Sequence, residues 1–215
     1  MTRSNPMRRS VALTVATAIL AAAPQFLGAQ VKPPPAGPLR PYAFPQINDF
    51  RLDNGLRVIV VEKHTLPIVT GRLMLDAGAM REPASKNGLA GITGTLLAEG
   101  TGNLSGADIA KEMDRIGAQF ATGAGYSTSF ANVTALTNVF PQALALAART
   151  VIAPTFPEGE FTRVRNQALA AYQQSHARTA GLAADAFNRA AFDSTAPFSR
   201  PPNGVPATLK ALTRA

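Results

Sequence analysis

The chain has 215 residues, 46% of them apolar, which is enough for one domain with a hydrophobic core. It contains no cysteine and only two histidines, which excludes a disulfide framework, a thiolate zinc site and a histidine-rich metal cage. The formal net charge is +8, but the basic residues are dispersed and tryptophan is absent, which argues against a nucleic-acid-binding surface.

Residues 1–29 are predicted to be an export signal. Three arginines precede an apolar run at residues 11–23 that is too short to span a bilayer comfortably. Small residues at 27–29 then supply a cleavage site before Gln30. A membrane anchor is the competing interpretation, but the short run and the polar segment after it favour cleavage. Cleavage would leave a periplasmic or secreted chain with a net charge of +5 and no stable membrane anchor.

Residues 30–46 are rich in proline and predict an extended tether to a domain that covers residues 47–215. The domain opens with Asn54-Gly55, a strong tight-turn signal that precedes a β-branched strand. A further strand is predicted after the break at residues 65–67.

A glycine-spaced segment follows at residues 87–102, with the sequence NGLAGITGTLLAEGTG. Its leucines predict a helix, although each interior glycine costs a helix about 1 kcal/mol relative to alanine. A second helix is predicted with Ser105 as its N-cap and with an apolar stripe formed by Ile109, Met113 and Ile116.

Residues 119–137 alternate in the manner of a half-buried strand or hairpin. Next come a helix with Pro141 in its first turn and a long alanine-rich helical stretch that we expect to break near Gly181. A loop and the start of one more helix complete the chain. This order of elements predicts an α+β fold with a largely antiparallel sheet flanked by helices.

Five segments, in this order, resemble the insulinase/pitrilysin-type zinc metallopeptidases, and in particular the alpha-type branch of the mitochondrial processing peptidases. The segments are LDNGLRVIVVEKHTLPIVTGRLMLDAGAMREP, NGLAGITGTLLAEGT, SGADIAKEMDRIGAQF, FPEGEFTRVRNQAL and APFSRPPNGVPATLKALTRA. The resemblance implies that residues 47–215 form a peptidase-like N-terminal domain, shortened at its C-terminal end and without the second half that such subunits carry.

Active members of that family carry the motif H-x-x-E-H on the helix that contains the glycine-spaced segment. Histidines at i and i+4 face one side of a helix and bind zinc, and the glutamate activates the zinc-bound water. The resemblance places the first histidine at Gly91, the glutamate at Gly94 and the second histidine at Thr95. It places a later glutamate ligand near Ala171. We therefore expect no catalytic residue, metal ligand or cofactor site in this chain.

Other side chains are weaker candidates for metal binding or catalysis. His64 is predicted to be solvated in a loop, and His176 has no acidic or histidine neighbour three or four residues away on its helix. Glu99 is predicted to be exposed at the end of the glycine-spaced helix. Ser127 and Ser129 have no histidine nearby in sequence, which leaves open a Ser/His/Asp arrangement assembled from distant residues.

The resemblance implies a non-catalytic subunit, or a fragment of one, that pairs with an H-x-x-E-H-bearing subunit and helps to bind peptide substrates. Zinc is then expected in the partner. The alternative is a stand-alone peptide-binding or envelope-structural protein on the same scaffold. An active metallopeptidase, the third hypothesis, predicts about one zinc per chain. Residues 119–137 are the candidate edge for peptide binding, although an ordinary core or edge strand fits the same pattern.

Overall fold

The computed structural model describes residue 37 and residues 44–214. The predicted export signal and most of the predicted tether lie outside the described residues, so their bounds stay predictions. The described residues fall into two units, one that ends at Glu62 and one that begins at Lys63.

The first unit contains an antiparallel hairpin of β1, Ile47–Arg51, and β2, Arg57–Val61. The predicted Asn54-Gly55 turn joins the two strands, and Gly55 has the positive φ of 85° that this turn requires. Across the strands, a hydrogen-bonded ion pair with the Arg57 guanidinium lowers the pKa of Asp49.

The second unit is built on a three-stranded antiparallel sheet. Its strands are β3, Ile68–Leu75, β6, Gln119–Ala124, and β7, Ser129–Leu136, and β7 lies in the middle. Two short strands, β4 at Gly100–Thr101 and β5 at Leu104–Ser105, form a separate ladder. Among the described residues, β6 therefore has one strand partner and one free edge.

Six helices follow or connect these strands in the described part of the chain. They are α1, Leu89–Leu96; α2, Gly106–Arg115; α3, Phe140–Ile152; α4, Glu158–His176; α5, Thr179–Ala191; and α6, Pro206–Ala211. Of these, α1, α2 and α3 pack against the three-stranded sheet. Short 3-10 turns occur at Ala79–Arg81, Ala84–Lys86 and Pro197–Ser199. The mixture of helices and antiparallel strands confirms the predicted α+β class. The helices that the structure describes include none that is long and apolar enough to cross a membrane.

Two buried apolar clusters hold the second unit together. One joins α1, α4 and the C-terminal helix through Ile92, Leu96, Phe161, Val164, Leu209 and Leu212. The other joins α2, β7 and α3 through Met113, Ala118, Val133, Ala135, Ala143 and Ala147. Helix α1 also packs against β6, and this contact lies beside the first cluster.

Helix α2 begins as predicted. Ser105 accepts a hydrogen bond from the backbone N–H of Asp108, and the Asp108 carboxylate accepts one from the Ser105 N–H. This reciprocal pair is a capping box, and it satisfies backbone donors that the first turn leaves unpaired. Ile109 and Met113 are buried on the inner face of the helix, as the apolar stripe predicts, and Ile116 packs there partly buried.

The long helical stretch breaks before the predicted glycine. Helix α4 ends at His176 and α5 starts at Thr179, so that Gly181 lies in the first turn of α5. A Cβ built on Gly181 would lie 2.1 Å from the carbonyl oxygen of Ser175. Gly181 thus allows the two helices to approach closely, and it is not the residue that ends α4.

Candidate functional site

The start of helix α1 is fixed by a residue outside the glycine-spaced segment. The two carboxylate oxygens of Glu82 accept hydrogen bonds from the backbone N–H groups of Gly88, at 2.8 Å, and Ala90, at 2.9 Å. The amide of Asn87 donates to the same carboxylate at 3.1 Å. A carboxylate at this end of a helix satisfies free donors and also interacts favourably with the helix dipole.

Gly94 lies in close contact with the sheet. A Cβ built there would lie 2.6 Å from the carbonyl carbon of Gly123 and 2.8 Å from the amide nitrogen of Ala124. Both of those atoms belong to the backbone of β6, so neither moves aside as a flexible side chain would. The position that the resemblance assigns to the catalytic glutamate therefore faces the strand at a distance that excludes a side chain.

Gly91 and Thr95 lie on the side of α1 that faces an open cavity. A Cβ on Gly91 would meet its first neighbour, the side-chain oxygen of Asn203, at 3.5 Å, which is ordinary van der Waals contact. The Thr95 hydroxyl donates a hydrogen bond to the Gly91 carbonyl at 3.0 Å. The one polar side chain among the four predicted positions is thus bonded to the backbone of its own helix.

The cavity has a volume of about 480 Å³ and brings three of the four predicted positions together. Gly91 and Thr95 come from α1, and Ala171 comes from the middle of α4. Its other lining residues come from α1, β6, β7, α4 and the loop before α6: Ile92, Gly123, Ala124, Phe130, Val164, Gln167, Ala168, Tyr172, Ser175, His176, Pro201, Asn203 and Gly204. That these positions match the family's zinc site stays a prediction, and the structure shows that they share one cavity.

Among the described residues, those that line the cavity include no Asp, Glu, Lys or Arg. Nearby Arg163 donates to Glu99 at 2.6 Å and to Glu160 at 2.5 Å. These hydrogen bonds, with that to Glu160 contributing most, raise the pKa of Arg163. Arg163 also donates to the side-chain oxygen of Gln167 at 3.0 Å, and this bond fixes the orientation of the Gln167 amide.

Glu99 differs from its predicted surroundings. The sequence predicts an exposed carboxylate at the end of the helix, but the Glu99 side chain is only 23% exposed and is paired with Arg163. The partner lies 64 residues further along the chain, so no local pattern indicates the pair. Glu99 does not line the cavity.

His176, on the cavity wall, has partners that sequence spacing did not indicate. Its Nδ1 lies 3.0 Å from the Tyr172 carbonyl oxygen, and its Nε2 lies 3.4 Å from Oδ2 of Asp185 on α5. Arg189 also donates to that carboxylate. The Tyr172 ring stacks on the imidazole with a centroid separation of 3.8 Å. These contacts join the end of α4 to α5.

A Ser–His–Asp sequence of contacts does occur here, from Ser175 through His176 to Asp185. The Ser175 hydroxyl lies 3.0 Å from Nδ1 of His176, but it also donates to the Tyr172 carbonyl at 2.9 Å. A hydroxyl has a single proton to donate, and Ser175 donates it to the Tyr172 carbonyl within α4. Ser175 therefore serves to close the last turn of this helix.

The two serines singled out in the sequence have other partners. Ser129 donates to the Ala77 carbonyl at 2.7 Å, and Ser127 lies 3.5 Å from the sulfur of Met80. Neither serine lines the cavity. His64 is exposed in the loop between β2 and β3 and lies outside the cavity lining as well.

The side chains at the predicted ligand positions do not fit zinc. Zinc in proteins takes imidazole, thiolate or carboxylate ligands, whereas Gly91 and Gly94 have no side chain and Ala171 has a methyl group. The Thr95 hydroxyl is directed to a backbone carbonyl. In the part of the chain that the structure describes, no three His, Cys, Asp or Glu side chains lie together in a group that could hold a metal ion.

Comparison with protein-family models identifies a family for most of the chain. The model described as Insulinase (Peptidase family M16) matches residues 57–199. Among curated proteins, the chain is 26% identical to cytochrome b-c1 complex subunit 1, mitochondrial, of Bos taurus, over 80% of this chain and 35% of that protein. The same subunit of Rattus norvegicus is also 26% identical, over 76% of this chain and 34% of that protein. The chain thus spans about a third of the length of these relatives.

Solved structures give a consistent result. A peptidase M16 inactive domain from Pseudomonas fluorescens is 28% identical, with a TM-score of 0.69 over 77% of this chain and 42% of that one. A protease from Helicobacter pylori has a TM-score of 0.70 at 21% identity, over 80% of this chain and 41% of that one. Pitrilysin has a TM-score of 0.65 at 20% identity, over 77% of this chain and 18% of that one. The last two matches concern the fold alone.

Proposed function

Since the chain belongs to the insulinase family of peptidases, peptidase family M16, we propose that it is a non-catalytic subunit, or part of one, that pairs with an active peptidase. The active partner carries H-x-x-E-H and holds the zinc. This chain contributes surface that binds peptide substrates, and it acts after export to the periplasm or the exterior.

One observation carries the proposal. Gly91, Thr95 and Ala171 line a single cavity, and none of these three has a side chain that binds zinc as an imidazole, thiolate or carboxylate does. The scaffold around the cavity is intact, with α1 packed on β6 and α4 completing the wall. A scaffold that keeps its shape without ligand side chains is suited to binding and assembly.

The comparisons support two parts of the proposal. The 28%-identical structural relative is described as an inactive domain, and the curated relatives are subunits of a complex. The free edge of β6 supports peptide binding, because an exposed edge can pair with an extended peptide through main-chain hydrogen bonds.

Co-expression with an H-x-x-E-H-bearing peptidase of the same genome tests the pairing. We expect the two chains to elute together in size-exclusion chromatography and the complex to hydrolyse a quenched fluorogenic peptide faster than the peptidase alone. Replacing the partner's motif glutamate with glutamine should abolish hydrolysis and leave the complex intact. Separate elution with unchanged hydrolysis would refute the pairing, and peptide binding by the isolated chain would then favour the stand-alone alternative.

Cell fractionation tests export. The chain expressed with residues 1–29 should be found in the periplasm or medium, with Gln30 as its first residue. A variant that lacks residues 1–29 should stay in the cytoplasm. Recovery of uncleaved chain in the membrane fraction would instead identify residues 1–29 as an anchor.

A further inference from the structure

The sequence contains three Asn-Gly pairs, at Asn54-Gly55, Asn87-Gly88 and Asn203-Gly204. Asparagine is a thermolabile residue, and it loses its side-chain amide most readily before glycine, because glycine has no side chain to obstruct attack by its own backbone nitrogen. The reaction also requires freedom of the asparagine side chain to rotate toward that nitrogen, and access of water. The three pairs differ in both respects.

The Asn87-Gly88 pair is held by hydrogen bonds on both residues. Asn87 is only 3% exposed, and its side-chain nitrogen donates to Glu82 at 3.1 Å and to the Pro201 carbonyl at 3.0 Å. The Gly88 N–H donates to the same carboxylate at 2.8 Å. Reaction at this pair would break these bonds in buried surroundings, so the folded structure protects Asn87.

The Asn203-Gly204 pair is fixed by backbone packing. The Asn203 side chain is exposed, but Gly204 is buried, and a Cβ built on it would lie 2.8 Å from the Asn87 carbonyl oxygen and 2.9 Å from the Gly88 Cα. The Gly204 N–H also donates to the Pro201 carbonyl at 3.2 Å. These backbone atoms confine any rearrangement of the main chain at Gly204, so this pair is protected as well.

The Asn54-Gly55 pair lies open at the turn between β1 and β2. Both residues are exposed, and among the described residues only chain neighbours have atoms within 4 Å of a Cβ built on Gly55. The hydrogen bonds of the pair are local: Leu56 N–H donates to Asn54 Oδ1 at 3.1 Å, and Gly55 N–H donates to the Leu52 carbonyl at 2.8 Å. A local opening of the turn breaks both bonds and leaves the two buried apolar clusters intact.

We propose that Asn54 is a site of spontaneous deamidation in the folded protein, while Asn87 and Asn203 are protected. The Gly55 backbone nitrogen bonds to Cγ of Asn54 as the bond from Cγ to Nδ2 breaks. The Gly55 amide proton passes to the departing nitrogen, which leaves as ammonia. Water then opens the succinimide ring at either carbonyl and gives aspartate or isoaspartate, and no group is oxidised or reduced.

Deamidation changes both the charge and the length of this turn. The product carries a carboxylate where the folded chain has a neutral amide, in a turn where Arg51 donates to the Gly55 carbonyl at 3.1 Å. Isoaspartate also adds a carbon to the main chain between the paired residues Arg51 and Arg57. The converted protein should therefore separate from the original by ion exchange as a more acidic form.

Incubation of the purified chain at mildly alkaline pH tests the proposal. One sample stays folded, and a matched sample is held in urea. Trypsin cleaves after Arg51 and Arg57 and releases residues 52–57 for mass spectrometry, which detects the replacement of an amide by an acid. Labelling by an isoaspartyl methyltransferase identifies isoaspartate, and a sample digested at the start corrects for reaction during digestion.

We expect Asn54 to convert in both samples and the other two asparagines to convert in urea. In the folded chain, Asn54 should convert at least about tenfold faster than Asn87 or Asn203, which corresponds to a difference of about 1.4 kcal/mol in the free energy of opening. Conversion of Asn54 in urea without conversion in the folded chain would overturn the proposal. Equal rates at the three asparagines in the folded chain would also overturn it.

Two matched substitutions locate the source of the acidic form. Asn54→Gln should abolish it in the folded chain, because glutamine would have to close a larger ring. Asn203→Gln makes the same change at another exposed asparagine and should leave the acidic form unchanged. Circular dichroism verifies that both variants are folded. An acidic form that persists in Asn54→Gln would assign the reaction to another residue and overturn the proposal.

Discussion

The glycines of α1 predict opposite effects of one chemical change at two neighbouring positions. Gly91 and Gly94 both lie inside the helix, so alanine raises helix propensity at each by about 0.5–1 kcal/mol. The surroundings differ, because a Cβ at Gly91 has 3.5 Å to its nearest neighbour whereas one at Gly94 would come within 2.6 Å of the β6 backbone. We expect Gly91→Ala to stabilise the fold and Gly94→Ala to destabilise it.

The difference in unfolding free energy between the two variants follows from the contact of Gly94 with β6 alone. The helix-propensity gain is shared by the two variants and cancels when they are compared. What remains at Gly94 is overpacking, which typically costs about 1–3 kcal/mol. The contact is with backbone atoms of Gly123 and Ala124, which are held in the sheet, so a value in the upper half of that range is expected.

Urea unfolding followed by circular dichroism measures the two free energies. For slopes of about 1–3 kcal/mol/M, a difference of about 2–3 kcal/mol places the midpoint of Gly94→Ala roughly 0.7–3 M below that of Gly91→Ala. The slopes themselves should agree, which shows that both variants unfold the same structure. Equal midpoints, or a higher midpoint for Gly94→Ala, would refute the close approach of α1 to β6.

Three further predictions concern caps, a buried hydroxyl and metal content. Ser105→Ala removes the capping box of α2 and should cost about 0.5–2 kcal/mol in urea unfolding. Because hydrogen bonds from Ser105 lower the pKa of Asp108 in the folded state below its ordinary 3.8, their stabilisation is present above that pH and is lost as the pH falls through the folded-state pKa. The Ser105→Ala deficit should therefore shrink in acid, and a pH-independent deficit would contradict this linkage. Thr101→Val should lower the free energy of unfolding by about 1–3 kcal/mol, because the buried Thr101 hydroxyl lies 2.9 Å from the carbonyl oxygens of Arg149 and Ala153. Thr93→Val, at an exposed position, is the control. An equal loss in the two variants would contradict a stabilising role for the Thr101 hydroxyl. Mass spectrometry of the purified chain should find far less than one zinc per chain. A stoichiometric amount of zinc would support the hypothesis that the chain is an active metallopeptidase.

Features determined by neighbours in sequence were predictable. The Asn54-Gly55 turn and the Ser105 cap depend on residues within a few positions, and both occur as expected. The helix break lies a few residues before Gly181, between His176 and Thr179, and sequence spacing does not reveal the close approach of Gly181 to Ser175. Local chemistry therefore predicts which helices and strands form better than it predicts the residues at which they end.

Features determined by packing were not predictable. The capping of α1 by Glu82, the pairing of Glu99 with Arg163, and the contact of His176 with Asp185 all join separate elements. None of them follows a helical or strand period, so no pattern in the sequence selects the partner. The resemblance placed three positions that the structure brings into one cavity, but the neutrality of that cavity depends on residues from several elements.

The contact at Gly94 has a consequence for the history of this protein. At the position that the resemblance implies, a catalytic glutamate would stand where a Cβ lies 2.6 Å from β6. That substitution requires α1 to move away from the strand, so by itself it would lose stability and gain no activity. Close packing of α1 against β6 would thus oppose the appearance of a zinc site on this helix by single substitutions.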